Sequence, residues 1–163
     1  EIYFDVIRKK TAALFTASAE SGAISVNAPQ DEIKKAALFG EMIGIAFQIK
    51  DDIFDYFDNE ELGKPTGNDM MEGKLTLPAL HVLNACADEA KKELALRIRS
   101  LSASKEEIAG FVDYVKQEGG IVYAEKVMYD YRNKALALLP ESADEAIRAA
   151  LTAYIDYVIE RNK

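Results

Sequence analysis

The segment from Gly40 to Asp55 places three carboxylates and one amide inside one of the most apolar stretches of the chain. Its pattern predicts a helix over 31–57 with apolar residues all round, and such a helix is buried rather than lying on a surface. With about 3.6 residues per turn, one stripe of this helix carries Gly40, Gly44, Gln48, Asp51, Asp52 and Asp55. Clustered carboxylates repel each other and are costly to bury unpaired. Because Lys50 projects from the far side, we expect a divalent, oxygen-binding cation such as magnesium opposite this stripe.

An exposed acidic helix face without any function would also explain an Asp-Asp-x-x-Asp pattern, but the apolar surroundings argue against it. The motif Gly44-x-x-Phe47-Gln48-x-x-Asp51-Asp52-x-x-Asp55 resembles the second aspartate-rich motif of the trans-isoprenyl diphosphate synthases. The match continues in order through Leu62-Gly-Lys-Pro-Thr-Gly-Asn-Asp69 and Glu72-Gly-Lys-Leu-Thr-Leu-Pro-Ala-Leu80. Upstream, the segment Lys10-Thr-Ala-x-Leu14 resembles the Lys-Thr helix of that family.

The resemblance implies an all-α isoprenoid synthase fold, a helical bundle of which this chain is the C-terminal half. The family's other aspartate-rich motif and its arginine-rich segment have no match here. Glu1 leads straight into a helical pattern without an initiator Met or a capping residue, although helices normally begin with Ser, Thr, Asp or Asn. We therefore expect residues 1–163 to form one all-α domain whose N-terminal half is missing.

The resemblance also assigns roles to individual side chains. In the family, the lysines that match Lys10 and Lys64 contact the allylic diphosphate, and Lys74 is a third ammonium suited to phosphate oxygen. The residues that match Thr11 and Gln48 offer their oxygens to a carbocation. Taken singly, each lysine is more simply explained as a solvated surface residue, and only its position within a family motif favours the functional role.

The three aspartates are the predicted ligands of Mg²⁺. One ion cannot be coordinated equally by all three side chains, so we expect Asp51 to be the main direct ligand. Asp52 and Asp55 are then expected to act partly by orienting the ligands around the ion. The two glycines on the same stripe, Gly40 and Gly44, have a simpler explanation as sites of close helix packing.

The activity that the resemblance implies is that of a prenyltransferase. Such an enzyme condenses an allylic diphosphate with isopentenyl diphosphate, and the family implies a homodimer. A non-catalytic partner subunit of a synthase is one alternative, and the intact set of motif residues argues against it. A terpene cyclase of related fold is another, and the Gly-Lys-Pro loop at 63–65 favours the chain-elongating branch. An Asp-Asp-x-x-Asp motif upstream of Glu1 in the gene would decide the class.

Composition narrows the possible partners and location. A net charge of −8 argues against nucleic acid, which requires basic surfaces to neutralise phosphates. The single cysteine, Cys86, excludes an internal disulfide and suits a reducing compartment, so we expect a cytoplasmic protein. No apolar run approaches the roughly 20 residues of a membrane span.

The positions of Gly, Pro and capping residues predict where the remaining helices begin and end. Ser104 and Glu107 form a capping-box pattern that opens a helix ending at Gln117. The connection 58–73 is rich in helix breakers, and a long loop inside a domain is usually functional. The other predicted helices span residues 1–21, 74–83, 88–100, 121–139 and 142–161.

We expect the 163-residue chain by itself to lack synthase activity, because the opposite metal-binding wall and the isopentenyl site would be absent. It should also self-associate through apolar surface that the missing helices would cover. Incubating the purified chain with farnesyl diphosphate and isopentenyl diphosphate tests the first expectation, and analytical ultracentrifugation tests the second. Turnover by the isolated chain, or a strictly monomeric chain, would contradict the corresponding expectation.

Overall fold

The computed structural model describes residues 1–57, 66–140 and 143–161, and every regular element in these ranges is helical. The all-α prediction is therefore confirmed. The α-helices are α1 Ile2–Ile7, α2 Ala13–Ser25, α3 Gln30–Phe54, α4 Asn68–Met71, α5 Leu77–Ala85, α6 Glu89–Arg99, α7 Lys105–Gln117, α8 Gly120–Ala137 and α9 Glu145–Glu160. Within the described ranges, no helix is long and apolar enough to cross a membrane.

The first predicted helix differs most from the structure. A π-helical turn, Arg8–Ala12, separates α1 from α2 and was not expected from the sequence. The predicted end at residue 21 is wrong, because the helix runs through Gly22 to Ser25. Gly22 is exposed with open space around it, so nothing forces the backbone out of the helix there. The chain turns instead at Asn27, which adopts a φ of 53°.

Capping chemistry places most other helix ends close to the prediction. Ser104 and Glu107 form the predicted capping box, with each side chain bonded to the other residue's backbone N–H. Asp88 and Asp144 cap α6 and α9 more simply, each through a side-chain oxygen that accepts one backbone N–H. The predicted start of a helix at residue 74 is wrong, because Thr76 is still extended and Pro78 lies in the first turn of α5.

Packing divides the chain into two compact units, one formed by residues 1–50 and 126–163 and the other by 51–125. The division falls inside α3 and inside α8. The prediction of a single domain remains a prediction, since units of this size can belong to one domain.

The first unit contains the N-terminal helices, most of α3 and the C-terminal helices. Its fully buried side chains include Ile45, Ile49 and Ile155. Ion pairs join segments of this unit: Arg8 Nε lies 2.9 Å from Glu41 Oε1, and Arg132 lies 2.6 Å from Asp156 Oδ1.

The second unit contains α4–α7 and the junctions on either side. Phe111, Val112 and Val115 form the buried face of α7, as the amphipathic spacing predicts. His81, the single histidine of the sequence, stacks on Tyr123 with ring centroids 3.7 Å apart, so its ring is packed against an aromatic side chain.

Candidate active site

In the first unit, the structure brings together two side chains that are 37 residues apart in the chain. The Thr11 hydroxyl donates a hydrogen bond to Gln48 Oε1 at 2.5 Å. Thr11 lies in the π-helical turn and Gln48 lies in α3, and both side chains are half-buried. Because the Thr11 proton points toward the amide, the lone pairs of Thr11 Oγ1 face away from it. A pair of electron-rich oxygens at one position can stabilise a nearby positive charge.

Lys10 precedes Thr11 in the same π-helical turn, and its side chain is exposed. An exposed ammonium on this turn is available to an anionic ligand. The placement of Lys10 next to the Thr11–Gln48 pair is therefore compatible with the predicted contact to a diphosphate, which remains a prediction.

Phe47 and Arg161 were not selected from the sequence as site residues. Phe47 precedes Gln48 in α3, and Arg161 contacts the Phe47 ring. The Phe47 ring contacts the ring of Phe15, with centroids 5.3 Å apart. The Arg161 guanidinium lies 3.9 Å from the centroid of the same ring, which places a cation over its face. Phe47 belongs to the matched motif, so its position carried a signal, whereas nothing in the spacing of Arg161 indicated a contact 114 positions earlier in the chain.

In the second unit, the three predicted aspartates have different surroundings. Asp52 is buried, with 4% of its surface exposed, whereas Asp51 and Asp55 are half-buried. The backbone carbonyl of Asp55 accepts a hydrogen bond from Gly67 N–H at 2.7 Å. Its carboxylate Oδ2 accepts a second from Asp69 N–H at 3.1 Å. The end of α3 is therefore tied to the residues that begin α4.

Asp69 also belongs to this cluster, although its place in the downstream motif indicated no role for it. Its backbone carbonyl accepts a hydrogen bond from Lys74 N–H at 2.8 Å, and its Oδ1 lies 3.9 Å from Lys74 Nζ. The Lys74 side chain is exposed and pairs with the carboxylate of Glu72. This hydrogen bond to Glu72 raises the pKa of Lys74 above its ordinary value. Lys64, the third predicted lysine, lies outside the described residues.

Tyr56 and Thr76 are a further pair that the sequence did not point to. Tyr56 has 1% of its surface exposed, and its hydroxyl oxygen lies 3.5 Å from Thr76 Oγ1. Burial raises the pKa of the Tyr56 phenol well above its ordinary value, so the phenol stays neutral. This buried contact holds the turn after α3 near the start of α5.

The donor chemistry of the aspartates fits Mg²⁺, although the described residues include no group of three or more acidic, His or Cys side chains arranged around a metal position. Mg²⁺ is usually held by one or two carboxylates together with water and substrate phosphates. Asp51 and Asp55 are four residues apart, one helical turn, and both offer carboxylate oxygens. A ligand set completed by phosphate oxygens therefore suits these residues.

Comparison with models of known protein families identifies the family of this chain. The family model described as polyprenyl synthetase matches residues 1–115. The chain belongs to the polyprenyl synthetase family. The matched range contains the Lys-Thr turn, the aspartate-rich end of α3 and both downstream motifs.

Relatives of this family match along almost the whole chain. A geranylgeranyl diphosphate synthase of Sulfolobus acidocaldarius is 36% identical over 99% of this chain and 49% of its own length. A protein of Geobacillus stearothermophilus named heptaprenyl diphosphate synthase component 2 is 35% identical over 98% of this chain and 49% of its own. The chain therefore spans about half the length of the curated relatives that it matches.

Solved structures give the same result for the fold. A geranylgeranyl pyrophosphate synthase from Bacteroides thetaiotaomicron superposes with a TM-score of 0.93 at 52% identity, covering 98% of this chain and 53% of that one. A polyprenyl synthase from Caulobacter crescentus, complexed with calcium and isoprenyl diphosphate, gives a TM-score of 0.88 at 30% identity, covering 99% and 50%. The prediction of half of an isoprenoid synthase fold is confirmed by these matches.

Replacing Gly67 by Ala should destabilise the protein more than the same change at Gly119. Both glycines have a φ of 78°, which costs an L-residue roughly 1–2 kcal/mol. A Cβ at Gly67 would also lie 3.0 Å from Ile108 Cγ2 and 3.2 Å from Val112 Cγ2, whereas nothing lies within 4 Å at Gly119. The contact should add about 1–3 kcal/mol. Denaturant unfolding of the complete gene product measures the difference, and equal losses for the two variants would contradict it.

Proposed function

We propose that the complete gene product is a trans-prenyltransferase that condenses an allylic diphosphate with isopentenyl diphosphate. The observation that carries this proposal is the hydrogen bond between Thr11 and Gln48. It joins the Lys-Thr turn to the aspartate-rich helix, so that two motifs far apart in the chain meet at one position. Membership of the family and the names of its full-length relatives support the proposal.

The proposed reaction begins with departure of the diphosphate from the allylic carbon, which leaves a carbocation. That step requires positive charge on the leaving group, electron-rich groups near the cation and little competing water. In the proposed mechanism, the oxygens of Thr11 and Gln48 face the developing cation. Their mutual hydrogen bond holds both in place before the reaction, so that little reorganisation is needed when the charge develops.

Lysines are the proposed partners of the departing diphosphate. Lys10 is exposed on the same turn as Thr11, and Lys64 and Lys74 belong to the downstream motifs. Lys74 is already paired with Glu72, so binding a phosphate oxygen would mean exchanging one anionic partner for another. Such an exchange keeps the ammonium charged throughout, which suits a role as a fixed positive charge.

Mg²⁺ is the proposed metal, with Asp51 as its main ligand and Asp52 and Asp55 in supporting positions. When bound, the ion would neutralise charge on the diphosphate as it leaves. Asp55 is oriented by the backbone N–H of Asp69, which fixes the direction of its carboxylate. The buried Asp52 is suited to orienting neighbouring groups rather than to meeting the ion directly.

Assembly and location are further parts of the proposal. We propose a homodimer, because the described part of the chain exposes large apolar side chains such as Ile2, Leu14 and Val26, with more than 70% of their surface accessible. We propose the cytoplasm as the location, because the single cysteine suits a reducing compartment.

A second candidate function is that of one subunit in a two-component synthase. The name of the Geobacillus stearothermophilus relative describes one component of such an enzyme. The activity of the protein purified alone distinguishes the two candidates, because a homomeric enzyme needs no second chain to be active. Activity that appears only after a second, different chain is added would favour the two-component enzyme.

Replacing Asp51 by Ala should abolish the effect of magnesium on diphosphate binding. In the wild-type gene product, Mg²⁺ should strengthen the binding of a bisphosphonate, because the metal joins the carboxylates to the anionic ligand. Isothermal titration with and without Mg²⁺ measures this, with Asp130→Ala, an exposed aspartate on α8, as the matched control. Metal-independent binding by the wild type, or unchanged binding in Asp51→Ala, would contradict the proposed metal site.

Replacing Gln48 by Leu should slow the chemical step more than it weakens substrate binding. The amide oxygen stabilises a charge that exists only near the transition state, and such contacts affect turnover rather than binding. We expect a fall in the single-turnover rate of about 10²-fold. Gln117→Leu, the same change at an exposed position on α7, should leave the rate unchanged. A normal chemical rate with a raised Michaelis constant would leave only a packing role for Gln48.

A further inference from the structure

Two glycines of α3 lie directly against the backbone of the preceding segment. A Cβ at Gly44 would lie 2.5 Å from Ala12 Cα and 2.8 Å from Ala12 Cβ. A Cβ at Gly40 would overlap the backbone carbonyl of Phe15 and lie 2.9 Å from Thr16 Cα. Real side chains do not approach this closely, so the two backbones are in contact only because both positions lack a Cβ. The contacts run antiparallel, with position 44 facing residue 12 and position 40 facing residues 15 and 16.

Gly44 contacts the π-helical turn at its last residue. This turn is closed by a hydrogen bond from Ala13 N–H to the carbonyl of Arg8, five residues earlier. Ala12 is completely buried where it meets Gly44. Thr11, the neighbour of Ala12, bonds to Gln48, which lies one helical turn after Gly44 on α3. The Gly44–Ala12 contact and the Thr11–Gln48 hydrogen bond are therefore neighbouring contacts between the same two helical segments.

We propose that Gly44 is a positioning residue for the Thr11–Gln48 pair, because it lets the π-helical turn pack closely against α3. This inference rests on the proposed prenyl transfer. Carbon atoms pack at about 3.5–4.0 Å, so a methyl group at position 44 would push Ala12 away by about 1 Å. A displacement of that size would lengthen the 2.5 Å bond between Thr11 and Gln48 beyond the normal hydrogen-bond range of about 3.2 Å. The two oxygens would then no longer meet at one position.

Simple helix packing is the competing explanation for Gly44, and the two explanations predict different kinetics. A packing defect lowers stability and affects binding and turnover alike. A positioning defect acts through the oxygens of Thr11 and Gln48, so it lowers turnover while the diphosphate still binds. It also disappears when Gln48 is already lost, because residues that act through one another are not additive.

The test is a double-mutant cycle in the complete gene product with Gly44→Ala and Gln48→Leu. We expect Gly44→Ala to lower the single-turnover rate by about 10²-fold, since a misplacement of about 1 Å at an active site can cost that much. Bisphosphonate affinity should change less than about threefold, a difference below 1 kcal/mol. In the Gln48→Leu background, Gly44→Ala should lower the rate by less than about threefold, which is the coupling that a positioning role requires.

The matched control is Gly110→Ala on α7, the same change at a helical glycine with nothing within 4 Å. It should retain the wild-type rate. If Gly44→Ala does not fold, Ala12→Gly/Gly44→Ala replaces it, because the added glycine removes the Ala12 Cβ, one of the two close atoms. The same criteria then apply, with Ala12→Gly as the reference.

The outcomes separate this inference from the proposed function. No prenyl transfer by the wild-type protein overturns the proposed function and, with it, the inference. Prenyl transfer by the wild type with a Gly44→Ala rate equal to that of Gly110→Ala overturns the inference alone. Equal losses of rate and affinity, or full additivity with Gln48→Leu, also overturn it and leave the packing role. A selective loss of rate that vanishes in the Gln48→Leu background supports it.

Discussion

The direct contact between the backbone of the π-helical turn and α3 is the constraint on which the first unit depends. Without a Cβ at Gly40 and Gly44, two helical segments can approach more closely than side chains normally permit. This approach lets the short side chain of Thr11 reach Gln48 across the interface. A π-helical turn at a functional position is common, because the extra residue redirects side chains without ending the helix. The same constraint serves packing and the proposed chemistry.

In the second unit, backbone groups of the following residues hold the end of α3. Gly67 and Asp69 each donate an N–H to Asp55, one to its carbonyl and one to its carboxylate. Gly67 can do so because glycine adopts a left-handed backbone conformation readily. It also has no side chain that would collide with Ile108 and Val112 of α7. The carboxylate of the proposed metal ligand Asp55 is therefore oriented by the backbone N–H of Asp69 in α4, while Gly67 holds the Asp55 backbone.

Local signals in the sequence predicted elements wherever the physical cause is itself local. The capping box at Ser104 depends on neighbours within four residues, so it could be inferred directly. The break predicted at Gly22 was wrong for the converse reason. A glycine lowers helix stability by only about 1 kcal/mol, and continuation of the helix to Ser25 outweighed that preference.

The sequence by itself determined the all-α class, a long helix over most of 31–57 and the acidic stripe at its end, because these follow from periodicity and residue chemistry. The expectation that this helix is buried all round holds only for its second half, since 47% of the Leu38 surface is exposed. It also indicated Thr11 and Gln48 as separate site residues, through motifs that resemble a family. The tertiary structure alone decided that these two side chains meet and that Arg161 lies over Phe47. These contacts join residues far apart in the chain. The glycines of α3 indicated a close helix contact, but no local pattern of residues specifies which segment packs against them.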